Sequence, residues 1–180
     1  MRECKAQGGN LTLVTKEKML HEDWPRDVLH EVFALPNDAP VELFLDLVSH
    51  IAKTNKPDRI VALEEFDVVV AALAREHLCM SGMTSSTAKT FRDKYAMAVR
   101  ARDGGVTIPD VVPAINNDEI ADYMNRVPAP WVLKPRSDVS AIGIRKLENA
   151  DEAWTAIEEL NNREALRERF LREARPPRGR

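Results

Sequence analysis

With 180 residues, 44% hydrophobic and 31% charged, the chain holds apolar material for the core of one medium domain or two small ones. A net charge of −3 gives no overall basic field for nucleic acid, and no apolar run approaches the roughly 20 residues that a bilayer span needs. Met1-Arg2-Glu3-Cys4-Lys5 lacks the apolar core of a signal peptide, and Cys4 and Cys79 form neither a metal spacing nor a disulfide framework, so a reducing cytoplasm is the expected setting.

In chain order, Gly8-Gly9-Asn10 is turn chemistry and Leu11 to Thr15 reads as a short strand. Asp23-Trp24-Pro25 predicts a helix start, with a short helix over Arg26 to Leu29, and His30 to Leu35 reads as a second strand closed by Pro36-Asn37-Asp38. Val41, Phe44, Leu45, Leu47, Val48 and Ile51 recur at helical spacing, which predicts an amphipathic helix from Pro40 to Thr54 ended by Asn55-Lys56-Pro57. Asp58 to Leu63 is predicted to be a strand, and Glu64-Glu65-Phe66-Asp67 leads into a helix ending near Leu78. This β-α-β-α order predicts a parallel sheet with helices packed on it. Glu64 and Asp67 fall at a strand's carboxyl end, where open α/β sheets place ligands, although acids are equally expected at a helix start.

Ser81-Gly82-Met83-Thr84 breaks the pattern, and Ser85-Ser86 is expected to cap one helix that carries Phe91 to Met97 and runs to about Arg102. Gly104-Gly105 ends it, Val106-Thr107-Ile108-Pro109 leads into a predicted strand over Asp110 to Ala114, and Asn116-Asn117-Asp118 caps a helix burying Ile120, Tyr123, Met124 and Val127. Trp131 to Leu133 reads as a buried strand with Lys134 at its end, where Pro135 has no N–H to continue the ladder. A polar loop with Arg136, Ser137, Asp138 and Ser140 follows, and the chain re-enters an apolar run through Gly143. A cation on a rigid strand beside a loop of backbone donors is one way to hold nucleotide phosphates; the alternative is a hairpin with an exposed lysine. Asn149-Ala150-Asp151 starts a helix through Trp154, Ile157 and Leu160.

Four of these segments, in this order, resemble the ATP-grasp superfamily in its carboxylate–amine ligase branch. Ile60 to Asp67 looks like the last strand–helix of the preceding Rossmann-like domain. Arg92-Asp93-Lys94 resembles the helix lysine, and Gly105-Val106-Thr107-Ile108-Pro109 resembles the G-V-x-x-P step. Trp131 to Arg136 with Ser140 and Gly143 resembles the strand lysine and the flexible phosphate-covering loop. The resemblance spans roughly residues 58 to 147, and more loosely Asn10 to Leu171. It implies an α/β fold with a partial Rossmann-like pre-ATP-grasp domain over residues 1–82. The first, N-terminal part of an ATP-grasp domain then covers 83–174, and a disordered tail 175–180.

The implied chemistry is an acyl-phosphate mechanism, in which ATP phosphorylates a carboxylate and an amine then displaces phosphate. By position, Lys94 is expected on the phosphates from the helix side, and Lys134 on the α/β phosphates from the strand. Arg136, Ser137, Ser140 and Gly143 belong to the phosphate-covering loop that excludes water, and Glu173 lies near a family carboxylate at the adenine hinge. Asp138 departs from the small neutral residue expected there. The family's magnesium ligands, acidic residues and an asparagine, lie well after the loop, so the chain is expected to be shortened at both ends, to bind ATP and to lack turnover by itself. Two other readings stand beside this one. One is a non-catalytic adaptor that pairs with a partner chain or a second copy. The other is a plain α/β domain whose tail, with seven arginines against three glutamates from Asn161 to Arg180, touches anionic partners weakly. Nucleic acid and membrane are not the expected partners.

Overall fold

The computed structural model describes residues 1–137 and 143–161, as a mixed helix–strand fold. Two compact units are present, Met1–Ala88 and Lys89–Arg180.

In the first unit, α1 (Arg2–Ala6) precedes β1 (Thr12–Lys16), which pairs in parallel with β2 (Glu31–Leu35), Leu13 facing Val32 and Thr15 facing Ala34. Parallel strands need a crossover of about a dozen residues or more, supplied here by two short 3-10 turns, Glu17–Met19 and Arg26–Val28. The second of these stands where the sequence predicts a short helix. α2 (Val41–Thr54) follows, with Pro40 at its N-cap and Asn55 at its C-cap. A 3-10 turn over Glu65–Asp67 leads into α3 (Val68–His77). Leu13, Leu35, Val48, Ala71, Ala72, Ala74 and Ala88 are the unit's buried apolar residues. Three small alanines on α3 let α2 approach closely, and Ser49 Oγ lies 2.6 Å from His77 Nε2 across that contact.

Residues 58–63 form no strand, contrary to the sequence reading. Val61 and Leu63 are 72% and 55% exposed, and no neighbouring backbone supplies a ladder for this apolar run. Arg75 holds the segment instead. Its Nη1 donates to the Ile60 carbonyl at 2.7 Å, and its Nε and Nη2 both donate to the Met83 carbonyl at 3.2 Å. A guanidinium thus satisfies carbonyl oxygens that a sheet would otherwise satisfy.

At the junction of the units the single helix expected from Ser85 to Arg102 is two helices, α4 (Ser85–Arg92) and α5 (Lys94–Asp103). Thr84 starts α4, its Oγ1 accepting from the Thr87 N–H at 3.3 Å. Gly105 takes φ +81° just past α5. The predicted strand over Asp110 to Ala114 is likewise not formed. Pro109 and Pro113 remove two ladder donors, and Asp110 is tied to the next helix instead: Arg126 Nη1 reaches its Oδ2 at 2.5 Å and Tyr123 OH donates to its carbonyl at 3.2 Å. That helix, α6 (Asn117–Arg126), starts as the sequence indicates, with Asn116 Oδ1 accepting from the Asp118 and Glu119 amides.

β3 (Trp131–Leu133) and β4 (Arg145–Leu147) form the expected antiparallel hairpin, Trp131 facing Leu147 and Leu133 facing Arg145. α7 (Ala150–Asn161) packs on it. Its first turn is capped by side chains: Asn149 Oδ1 accepts from the Glu152 amide, and the Glu152 carboxylate accepts from the Glu148 amide. Leu147, Ala153 and Ala156 are buried together, with Met124, Trp131 and Leu133 packed around them.

Candidate functional site

The hairpin has two unlike faces because strand side chains alternate. Trp131 and Leu133 face the α7 core, whereas Val132 lies on the other face and is 56% exposed. Val132 is paired with Lys146, and both are exposed. Lys134, exposed and one step beyond β3, continues the Val132 row, and Ile144, 45% exposed, precedes β4. This open face therefore combines apolar surface with two lysines.

The start of α5 lies directly against the chain that leaves β3. The Lys94 amide donates to the Arg136 carbonyl at 2.8 Å, and Arg92 Nη2 donates to the Ser137 carbonyl at 2.8 Å. Asp93, the N-cap of α5, accepts from the Tyr95 amide at 2.9 Å and the Ala96 amide at 3.1 Å. The same carboxylate takes the fork of Arg136: Nε donates to Oδ1 at 3.0 Å, and Nη2 pairs with Oδ2. The Arg136 guanidinium also lies 5.5 Å from the centroid of the Tyr95 ring, a cation–π distance.

Partial burial opposes ionisation of Asp93, but the Arg136 fork and the Ala96 and Tyr95 amides outweigh it and hold its carboxyl below the usual aspartate range. The hydrogen bond to Asp93 raises Arg136 in turn. The first three amides of α5 are all used, by Arg136 and by Asp93, so anion recognition at this helix end falls to side chains.

The structure thus brings the backbones of Lys94, Lys134, Arg136 and Ser137 to one place. Gly143 stands there too: it has φ +77°, and a Cβ on it would lie 2.9 Å from Pro135 Cγ. Ser140 and Glu173 lie outside the described residues. Asp93 and Tyr95 are the residues that the sequence reading missed. The signal for Asp93 was a carboxylate two and three positions before free helical amides, hidden by good helix formers on both sides. Among the described residues, no three or more His, Cys, Asp or Glu side chains stand together to hold a metal ion. Those residues by themselves do not fit a magnesium site, and no metal-assisted step is assigned to them. Among the described residues, no helix is long and apolar enough to cross a membrane.

No protein-family model and no curated protein matches the chain. Solved structures do. An L-amino acid ligase from Bacillus licheniformis superposes with a TM-score of 0.64 at 20% identity, over 89% of this chain and 38% of that one. The biotin carboxylase domain of Hydrogenobacter thermophilus 2-oxoglutarate carboxylase, a dimer in complex with MgADP, ADP and bicarbonate, gives 0.63 at 18%, over 89% and 36%. The ADP complex of N5-carboxyaminoimidazole ribonucleotide synthetase gives 0.61 at 13%, over 86% and 38%. The chain spans little more than a third of the length of these proteins, and over that third its fold is similar to theirs.

Proposed function

We propose that the chain is an ATP-binding portion of a carboxylate–amine ligase of the ATP-grasp type, with Lys94 and Lys134 on the triphosphate. The observation that carries this reading is the 2.8 Å bond from the Lys94 amide to the Arg136 carbonyl, which ties the helix lysine to the segment leaving the strand lysine. Two compact ammonium groups from separate elements neutralise phosphate oxygens without a guanidinium's geometric demands. The open hairpin face, with Val132 and Ile144 in the rows of Lys134 and Lys146, offers apolar surface for a base. Ser137 and Gly143 flank the loop over the phosphates, and Arg136 stands at its start. The domain reading that goes with this is a pre-ATP-grasp portion over 1–82 and an ATP-grasp portion over 83–174.

In the whole enzyme, a carboxylate oxygen attacks the γ-phosphorus, ADP leaves, and an amine displaces phosphate from the acyl carbon. Magnesium would be held by residues other than those described. A second reading, a non-catalytic module that pairs with another chain, is favoured by Val61, Leu63 and Phe66, which are 72%, 55% and 60% exposed.

The deciding experiment is calorimetric titration of the full chain with ATP in magnesium, followed by thermal melting. ATP at ten times its Kd is expected to stabilise the chain by about 1.4 kcal/mol, Lys134→Ala or Lys94→Ala to weaken ATP binding, and Lys134→Ala to leave the nucleotide-free melting temperature in place. Absence of binding at millimolar ATP would refute the nucleotide reading and leave the pairing module.

A further inference from the structure

Asp93 and Arg136 stand next to the two lysines in a way that the nucleotide reading does not use. Asp93 immediately precedes Lys94, and Arg136 follows Lys134 by two residues. Their side chains meet through a two-pronged ion pair across 43 positions of sequence. Two further ties run in parallel, from the Lys94 amide to the Arg136 carbonyl and from Arg92 to the Ser137 carbonyl. The Tyr95 ring beside the guanidinium comes from the same helix as Lys94.

We propose that the Asp93–Arg136 pair is a positioning clamp that fixes the spacing of Lys94 and Lys134 for a triphosphate. The proposal rests on the nucleotide reading above and extends it to residues that act through the lysines. A fork-to-carboxylate pair fixes direction as well as distance, which a single lysine contact does not. The Asp93 side chain is only 18% exposed, so the pair is shielded from water on one side, unlike ordinary surface ion pairs. A carboxylate this close to a phosphate site also carries an electrostatic penalty, and that gives the proposal a sign. If only the field mattered, removing the Asp93 charge would tighten ATP binding. If the clamp matters, removing it loosens ATP binding.

The test uses Asp93→Asn, which keeps an oxygen to cap α5 and removes the ion pair, and Arg136→Lys, which keeps the charge and loses the fork. Affinities of the full chain for ATP and AMP are measured by calorimetry, with AMP read by competition. Both variants are expected to lower the ATP-to-AMP affinity ratio about tenfold, on the scale of one charge-assisted hydrogen bond, with AMP binding unchanged. Tighter or unchanged ATP binding in Asp93→Asn overturns the clamp, as does an equal loss for ATP and AMP, which marks a general loosening. Arg136→Lys decides alone should Asp93→Asn fail to fold. If the wild-type chain binds no ATP, the nucleotide reading itself fails. If it binds ATP through Lys134 and neither variant changes the ratio, the clamp alone fails.

Discussion

Substitution of Gly143 by alanine tests whether the two arms of the hairpin close on each other beyond β3. Gly143 and Gly105 share nearly the same φ, +77° and +81°. An alanine in that region costs about 1–2 kcal/mol, offset by about 0.4–1 kcal/mol because alanine also restricts the unfolded chain. At Gly105 the new methyl meets nothing within 4 Å, so the net cost there is about 0.5–1 kcal/mol. At Gly143 the methyl would lie 2.9 Å from Pro135 Cγ and 3.5 Å from Cδ. A pyrrolidine ring fused to the backbone cannot swing aside, so the collision adds an overpacking cost of about 1–3 kcal/mol. Gly143→Ala is therefore expected to cost about 1.5–4 kcal/mol in all, above Gly105→Ala. Urea unfolding of both variants, followed by far-ultraviolet circular dichroism and tryptophan fluorescence, measures the difference directly. If the two variants agree to within about 0.5 kcal/mol, the limit of additivity for separate sites, then Pro135 does not press on residue 143 and the closed base of the hairpin is wrong.

Two further predictions concern helix starts. Asn116→Ala removes the side chain that accepts from the Asp118 and Glu119 amides, and is expected to cost about 1 kcal/mol, or roughly 2–4 °C in Tm. Asn116→Asp restores the acceptor, and equal Tm values for Ala and Asp would show that the cap is not made. The carboxyl of Asp93 is held below its ordinary range in the fold, so its contribution is complete above the unfolded aspartate pKa and is lost as the pH falls through the lower, folded value. Wild type is expected to lose stability relative to Asp93→Asn as the pH drops through that acid window, and parallel stability curves for the two would contradict the Arg136 pairing.

Much of the fold is legible locally. The spacing of Val41, Phe44, Leu45, Val48 and Ile51 gives α2, Asn116 marks the start of α6, and the short run Trp131 to Leu133 with its proline stop gives β3. In each case the signal lies within a few residues, in periodicity or in a side chain satisfying its own helix's amides. The candidate lysines Lys94 and Lys134 were also visible as residue types on a helix and at a strand end.

Other features needed the tertiary structure, for a common reason. A strand exists only through a second strand, so the apolar run from Ile60 to Leu63 could not reveal that Arg75, rather than a ladder, would take its carbonyl. Nor could residues 110–114 show that Asp110 would bind Arg126 and Tyr123. The break between α4 and α5 depends on Asp93 finding Arg136 43 positions later, which turns a plausible mid-helix residue into a cap and an ion pair. The sequence by itself determined the helices whose signals are local, such as α2 and α6, and which residues carry charge. Only the fold decided which of those charges meet, because long-range hydrogen bonds and ion pairs leave no periodic trace in the residues that form them.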